Sequence, residues 1–206
     1  ALELQYRIAD EYLSGHKDKF LGIPMLSRTG EAIEMLYRLQ QASPGSPLAE
    51  RALLRTADYY YADLQYDLAA DAYAAYVKSY PKSEQVPHVR LREAFSALAQ
   101  FRGIRFDPSP ILNARSQLID IEQEYPQLAE EENVQPVIDQ IDSTFAAKLY
   151  SLADYYRRTH EPTAAVYYYR LILKTYPKSE EAKSSNKWLA KMPEGALLTK
   201  EPPASS

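Results

Sequence analysis

The stretch 57–84, ADYYYADLQYDLAADAYAAYVKSYPKSE, returns at 153–180 as ADYYRRTHEPTAAVYYYRLILKTYPKSE. Aligned without a gap at an offset of 96, the two copies match at 12 of 28 positions. No low-complexity tract explains such agreement, so it marks a duplicated structural unit, and a unit that repeats implies a stacked array. In the first copy and the residues just before it, Leu53, Thr56, Ala57 and Tyr60 share one helical face, and Ala69, Tyr73 and Val77 share another. Small Ala57 and Ala69 at facing positions let two helices approach closely, with Tyr60 and Tyr73 filling the space beside them.

Working outward, four prolines close apolar-periodic runs: Pro44, Pro81, Pro126 and Pro177. A proline just past a helix stops its continuation and turns the chain. Their spacings of 37, 45 and 51 residues exceed the roughly 34 of a tetratricopeptide unit, so each repeat carries an insertion. The prolines thus divide the chain into four repeats, at about 2–44, 47–81, 84–126 and 127–177, with a capping helix at 180–191 and an extended, mobile tail at 193–206.

Repeat one places Leu4, Ile8, Ala9 and Tyr12 on the stripe of its first helix and Ala32, Met35, Leu36 and Leu39 on that of its second, near 31–41. The connection 14–29 between them is about 11 residues longer than its counterpart in repeat two and is expected to pack back on the array. Repeat three offers Leu91, Phe95 and Leu98, then Ala114, Leu118 and Ile121. Its insertion, RGIRFDPSP at 102–110, reads as an irregular loop. In repeat four the helical period holds unbroken from Val137 to Tyr156, which predicts a helix of 23 residues over 136–158, about 34 Å long. Glu130, Glu131 and Glu132 are expected in its first turn, where the helix dipole favours acid. Trp188 and Leu189 are expected to face inward from the cap. The fold class is therefore all-α, a right-handed solenoid of about four helical hairpins forming a single repeat domain over 1–192.

Composition narrows the function. With 24 basic and 28 acidic side chains the net charge is −4, so no global field draws the chain to nucleic acid or anionic lipid. Cysteine is absent, which removes thiolate metal sites and Cys nucleophiles. No run of about 18 apolar residues suggests a membrane span. His16, His88 and His160 have no partner at ligand spacing, and the six glycines form neither a phosphate-cradling loop nor a nucleophile elbow. No catalytic, metal or cofactor site is expected.

The repeats resemble tetratricopeptide units, most clearly two and four, where Ala57, Tyr60, Ala69 and Tyr73 and their counterparts Ala153, Tyr156, Ala165 and Tyr169 take the small or aromatic positions. More narrowly, the YPKS closures, Asp107-Pro108, and the segment KLYSLADYYRRTHEPTAAVYYYRLILKTYPKS at 148–179 resemble the BamD family of outer-membrane β-barrel assembly lipoproteins. The resemblance covers most of the chain after Pro44 and implies a non-catalytic protein-binding scaffold at the periplasmic face of a bacterial outer membrane. Its partners would be subunits of the barrel-assembly machine and segments of substrate barrel proteins. It also implies membrane attachment only through an N-terminal lipid on a Cys that these 206 residues do not contain. Where the family carries a basic residue eight places before the closing Tyr of repeat four, this chain has Tyr168, so that contact does not carry over. Two other readings stand beside this one. One is a generic periplasmic tetratricopeptide scaffold for a short peptide; the other is a carbohydrate- or lipid-binding subunit that uses tyrosines as stacking platforms.

Candidate binding residues come from two features. Eighteen tyrosines against five Phe and one Trp include runs that cannot all face inward, because consecutive helical residues are about 100° apart. Tyr59, Tyr61, Tyr66, Tyr155, Tyr167 and Tyr168 are candidates for partner recognition, since Tyr offers contact area at low entropy cost. The second feature is basic: Arg90, Arg92, Arg102 and Arg105 could pair with acidic groups or a terminal carboxylate of a bound peptide. Arg157 and Arg158 belong to 157–162, which diverges from its counterpart 61–66, and such mismatches between copies are where specificity is expected.

Overall fold

A computed structural model describes residues 2–14, 19–20, 23–24, 29–101, 103 and 109–192. Its helices are α1 (Leu2–Leu13), α2 (Thr29–Ala42), α3 (Pro47–Ala62), α4 (Tyr66–Ser79), α5 (Val86–Ala99), α6 (Ser109–Glu124), α7 (Pro126–Glu131), α8 (Val134–Arg158), α9 (Pro162–Thr175) and α10 (Glu180–Leu189). Consecutive helices pack as tetratricopeptide-like hairpins. The fold is all-helical apart from one small ladder, β1 (Lys19–Phe20) against β2 (Ile23–Pro24), antiparallel with Phe20 opposite Ile23. That ladder lies in the 14–29 connection; the rest of the connection after Ser14, up to residue 28, lies outside the described residues, as do the loop 104–108 and the tail 193–206.

The chain forms two compact units, one holding α1 to α6 and the start of α7, the other holding α8 to α10. In the first, Ala9, Leu13, Ala32, Leu36, Leu39 and Ala52 make one buried cluster among α1, α2 and α3. Ala57, Ala69, Tyr73, Tyr76, Val86 and Val89 make a second among α3, α4 and α5. The small residues carry the close approaches: Ala57 and Ala69 are both fully buried, and only a methyl stands between the facing backbones. On α1 the expected Ala9 and Tyr12 do face inward, joined by Tyr6 and Leu13, whereas Leu4 is exposed.

Serines start several helices. Ser46 accepts a hydrogen bond from the Ala49 amide at 3.1 Å to cap α3, and Ser179 accepts from the Ala182 amide at 3.1 Å to cap α10. The repeated YPKS sequence is thus a closing turn whose serine leads into the next helix: the Ser83 amide reaches the Tyr80 carbonyl at 3.0 Å and the Ser179 amide the Tyr176 carbonyl at 3.1 Å. Pro126 behaves differently. It comes after the end of α6 and occupies the first position of α7, where its missing N–H costs nothing. Glu130 and Glu131 consequently belong to α7, and Asn133, in a left-handed conformation at φ 52°, starts α8 without an acidic first turn. At 25 residues α8 is slightly longer than expected.

In the second unit α9 and α10 pack on each other and on α8. The buried side chains of α10 are Ala182 and Ser185, with Trp188 and Leu189 half-buried. Ala182 and Ser185 stand 96 residues after Val86 and Val89, so the buried positions of the two helices coincide, with smaller side chains on α10.

Both copies turn between their helices by the same backbone route despite unlike sequences. Leu64 has φ 61° and His160, its counterpart, φ 62°. The Gln65 amide bonds the Tyr60 carbonyl at 2.9 Å, as the Glu161 amide bonds that of Tyr156 at 2.9 Å. A left-handed leucine is crowded at Cβ, and Leu64 is 69% exposed, so little packing offsets the strain. Leu64→Gly is therefore expected to stabilise the protein by about 1 kcal/mol, read as a rise in the thermal unfolding midpoint of about 2–4 °C; an unchanged or lowered midpoint would show the turn unstrained.

The Tyr76 hydroxyl donates to Glu50 at 2.6 Å and lies 2.8 Å from the Ser83 oxygen, joining α3, α4 and the closing turn. Burial, then the bond to Glu50, pushes the Tyr76 phenol up to about 12. The hydroxyls of Ser83 and Tyr76 hold the Glu50 carboxyl below its ordinary 4.5. A carboxyl whose folded pKa is lowered contributes stability above its ordinary value and loses it as pH falls through the lowered one. Tyr76→Phe should accordingly cost about 1 kcal/mol at neutral pH, with the deficit shrinking in acid; thermal unfolding across that range measures it.

Candidate protein-binding site

The tyrosine clusters differ between the copies. On α3 and α4, Tyr59 and Tyr60 lie tilted at 5.9 Å, and Tyr61 meets Tyr66 edge-on at 5.5 Å. On α8 and α9 four rings form a continuous run: Tyr155 is edge-on to Tyr156 at 5.4 Å, Tyr156 lies parallel to Tyr168 at 5.6 Å, and Tyr168 is edge-on to Tyr167 at 5.2 Å. Such offset and edge arrangements suit the ring quadrupoles. Burial, with Tyr156 and Tyr167 alongside, raises the Tyr168 phenol. Tyr155 is 55% exposed and is the most open candidate tyrosine; Tyr59, Tyr61, Tyr66, Tyr167 and Tyr168 are half-buried.

The candidate arginines are held within the fold. Arg90 pairs with Glu124 and lies over the Tyr125 ring at 5.8 Å. Arg92 on α5 lies over the Tyr61 ring at 5.5 Å. Arg157 binds Asp154 at 2.5 Å and stacks on Trp188 at 4.2 Å, while Arg158 reaches Asp154 at 3.0 Å. Arg102 and Arg105 lie outside the described residues.

Two of these contacts are one contact written twice. At the offset of 96, Tyr61 corresponds to Arg157 and Arg92 to Trp188. Each copy therefore pins its next helix with a cation over an aromatic ring, the cation coming from α5 in one and from α8 in the other. The exchange alters the polar neighbours. The Tyr73 hydroxyl donates to Asp58 at 2.7 Å, and burial together with that bond pushes its phenol well above the usual range. Asp154, the counterpart of Asp58, is taken by Arg157 and Arg158, and the buried Tyr169 hydroxyl has no hydrogen-bond partner among the described residues. Trp188 also donates to the Tyr150 hydroxyl at 3.0 Å and has Lys191 over its ring at 5.1 Å.

A groove lies between α2 and α4 with α3 as its floor. Its volume is about 460 Å3, and Ile33, Glu34, Tyr37, Leu53, Thr56, Tyr60 and Ala75 line it. Tyr37, 58% exposed, sits at its edge. A signal was present in the aligned copies: Thr56 and Ala75 stand where the second copy has Leu152 and Leu171. Among the described residues no group of three or more His, Asp or Glu side chains could hold a metal ion, and no helix is long and apolar enough to cross a membrane.

Hairpins closed by YPKS turns and a long α8 are among the features behind the family resemblance, with Asp107-Pro108 outside the described residues, and they coincide with a family match. Residues 26–195 match the YfiO family, described as outer membrane lipoprotein. The chain belongs to this BamD-like family. The match takes in α2 to α10, and so both compact units and the groove. No curated protein matches the chain.

The Arg157–Trp188 contact can be tested by copying the other repeat. Trp188→Arg places two cations together and should destabilise by about 2 kcal/mol or more, whereas Trp188→Phe, which keeps a ring under Arg157, should cost about 1 kcal/mol. Equal midpoints for the two variants in thermal unfolding would mean that the stacked cation contributes nothing.

Proposed function

We propose that this protein is a non-catalytic scaffold in outer-membrane β-barrel assembly, working at the periplasmic face of the outer membrane. It would be held there by a lipid anchor outside the 206 residues and dock on the barrel-assembly machine. The observation that carries this reading is the family match over 26–195; the stacked hairpins, with aromatic surface and a groove, are of the kind that repeat proteins use to bind other proteins. In this reading α1 to α6 receive segments of substrate barrel proteins, and the second unit, with α8 and its four-ring tyrosine run, holds a permanent partner.

Affinity capture from native outer membranes tests it. The full chain should retrieve other barrel-assembly subunits, and a chain ending after Pro126 should lose them while circular dichroism still reports folded helices. Retrieval undiminished by the truncation would reject the division of labour, and retrieval of no barrel-assembly component by the full chain would reject the function.

A further inference from the structure

Small side chains on α3 and α4 accompany the α2–α4 groove. Relative to the second copy, three positions on one face of the first hairpin are small: Thr56 for Leu152, Ala72 for Tyr168 and Ala75 for Leu171. In the second copy Tyr156 is covered by the parallel ring of Tyr168. In the first, Tyr60 has Ala72 in that place and its ring lines the groove instead. The α2 wall is peculiar to the first copy, since the residues aligned with 30–42 in the second, 126–138, form α7 and the start of α8.

The rim has a charge. Glu34 lines the groove and pairs at 2.5 Å with Arg38, one turn further along α2. Glu31 precedes Glu34 by one turn, and Asp71 precedes Ala75 by one turn on α4, so each shares the face of a lining residue. Both are exposed and have no ion pair among the described residues. Leu68, 40% exposed, extends the same edge of α4. Tyr37 and Tyr60 offer ring faces. An aromatic and aliphatic floor beside uncompensated carboxylates favours a cation carried next to an apolar group, through charge complementarity and cation–π attraction. At about 460 Å3 the groove is of a size for a few anchoring side chains, as ligand pockets are.

We propose that this groove binds a segment of a partner protein in which Lys or Arg stands beside an aliphatic or aromatic anchor. The assignment rests on the scaffold reading and adds the surface and the chemistry it selects. The anchor enters over Thr56 and Ala75 between Tyr37 and Tyr60, and the cation meets the acidic rim.

The probe is a fluorescent synthetic peptide with Leu and Lys at amphipathic-helix spacing, titrated into the full chain and monitored by anisotropy. Two control peptides replace every Lys with Glu or every Leu with Ser. The groove is closed by Thr56→Leu with Ala75→Leu, the side chains at the aligned positions of the second copy, and its rim is neutralised by Glu31→Gln with Asp71→Asn. Circular dichroism and thermal unfolding confirm that each variant is folded. The Leu/Lys peptide should bind the parent chain, and closing the groove should weaken it about tenfold or more. Neutralising the rim should weaken it several-fold, and both control peptides should bind about tenfold less tightly. Failure of the Leu/Lys peptide to bind, equal binding to the closed variant, or equal binding of the Ser/Lys peptide would each overturn the proposal. Membrane capture separates this from the scaffold reading. If only the groove assignment is wrong, parent and closed chains retrieve the same partners; if the scaffold reading is wrong, the parent retrieves none.

Discussion

Everything in this protein depends on how closely the two helices of a hairpin can approach. Ala57 against Ala69, and Ala153 against Ala165, are completely buried, and a methyl at each position lets the backbones come together while larger neighbours interlock on either side. With that approach set, the remaining positions are constrained. Tyr73 and Tyr169 are driven into full burial, their hydroxyls must find partners or go without, and the connecting turn must be short enough to demand a left-handed residue. Leu64 and His160 accept that conformation, which histidine adopts more readily than most residues but leucine does not favour. The tertiary approach of the helices overrides local preference at the turn.

A fixed hairpin then leaves room for variation around it. The closing tyrosines show this. Tyr80 packs on Tyr76 of its own α4 at 5.4 Å, whereas Tyr176 stacks on Phe145 of α8 at 6.3 Å. The same closing residue finds an aromatic neighbour on a different helix in each copy. The exchange of Tyr61 and Arg92 for Arg157 and Trp188 obeys the same logic, since a cation–ring contact survives reversal of its two ends. A retained contact with altered chemistry leaves one copy with a satisfied Tyr73–Asp58 bond and the other with an unpartnered Tyr169 hydroxyl among the described residues. The groove beside Tyr60 is a third variation on the common frame, in which side-chain volume rather than charge has changed.

Much of the architecture was legible in the sequence because the signals were local and repeated. Apolar period and the paired alanines marked the helices, and α8 ended where expected, at Arg158. The misplacements have physical reasons. Glu130 and Glu131 read as the acidic start of α8, but Pro126 suits a first helical turn as well as a stop, and it opened a separate helix there. Leu4 read as core from its spacing, yet it is exposed, and Tyr6, Ala9, Tyr12 and Leu13 are the residues of α1 that meet the core cluster.

By itself, the sequence determined the all-helical class and the family, because each arises from patterns that a single stretch of chain or its duplicate carries. Only the tertiary structure decided what the mismatched residues do. Tyr61, Arg92 and Arg157 are turned toward neighbouring helices by the packing of α5 and α10, a matter no local pattern records. The open groove likewise exists only where α2, α3 and α4 come together. Small side chains such as Thr56 and Ala75 make a cavity or a close contact according to what stands opposite, and what stands opposite is set by the fold.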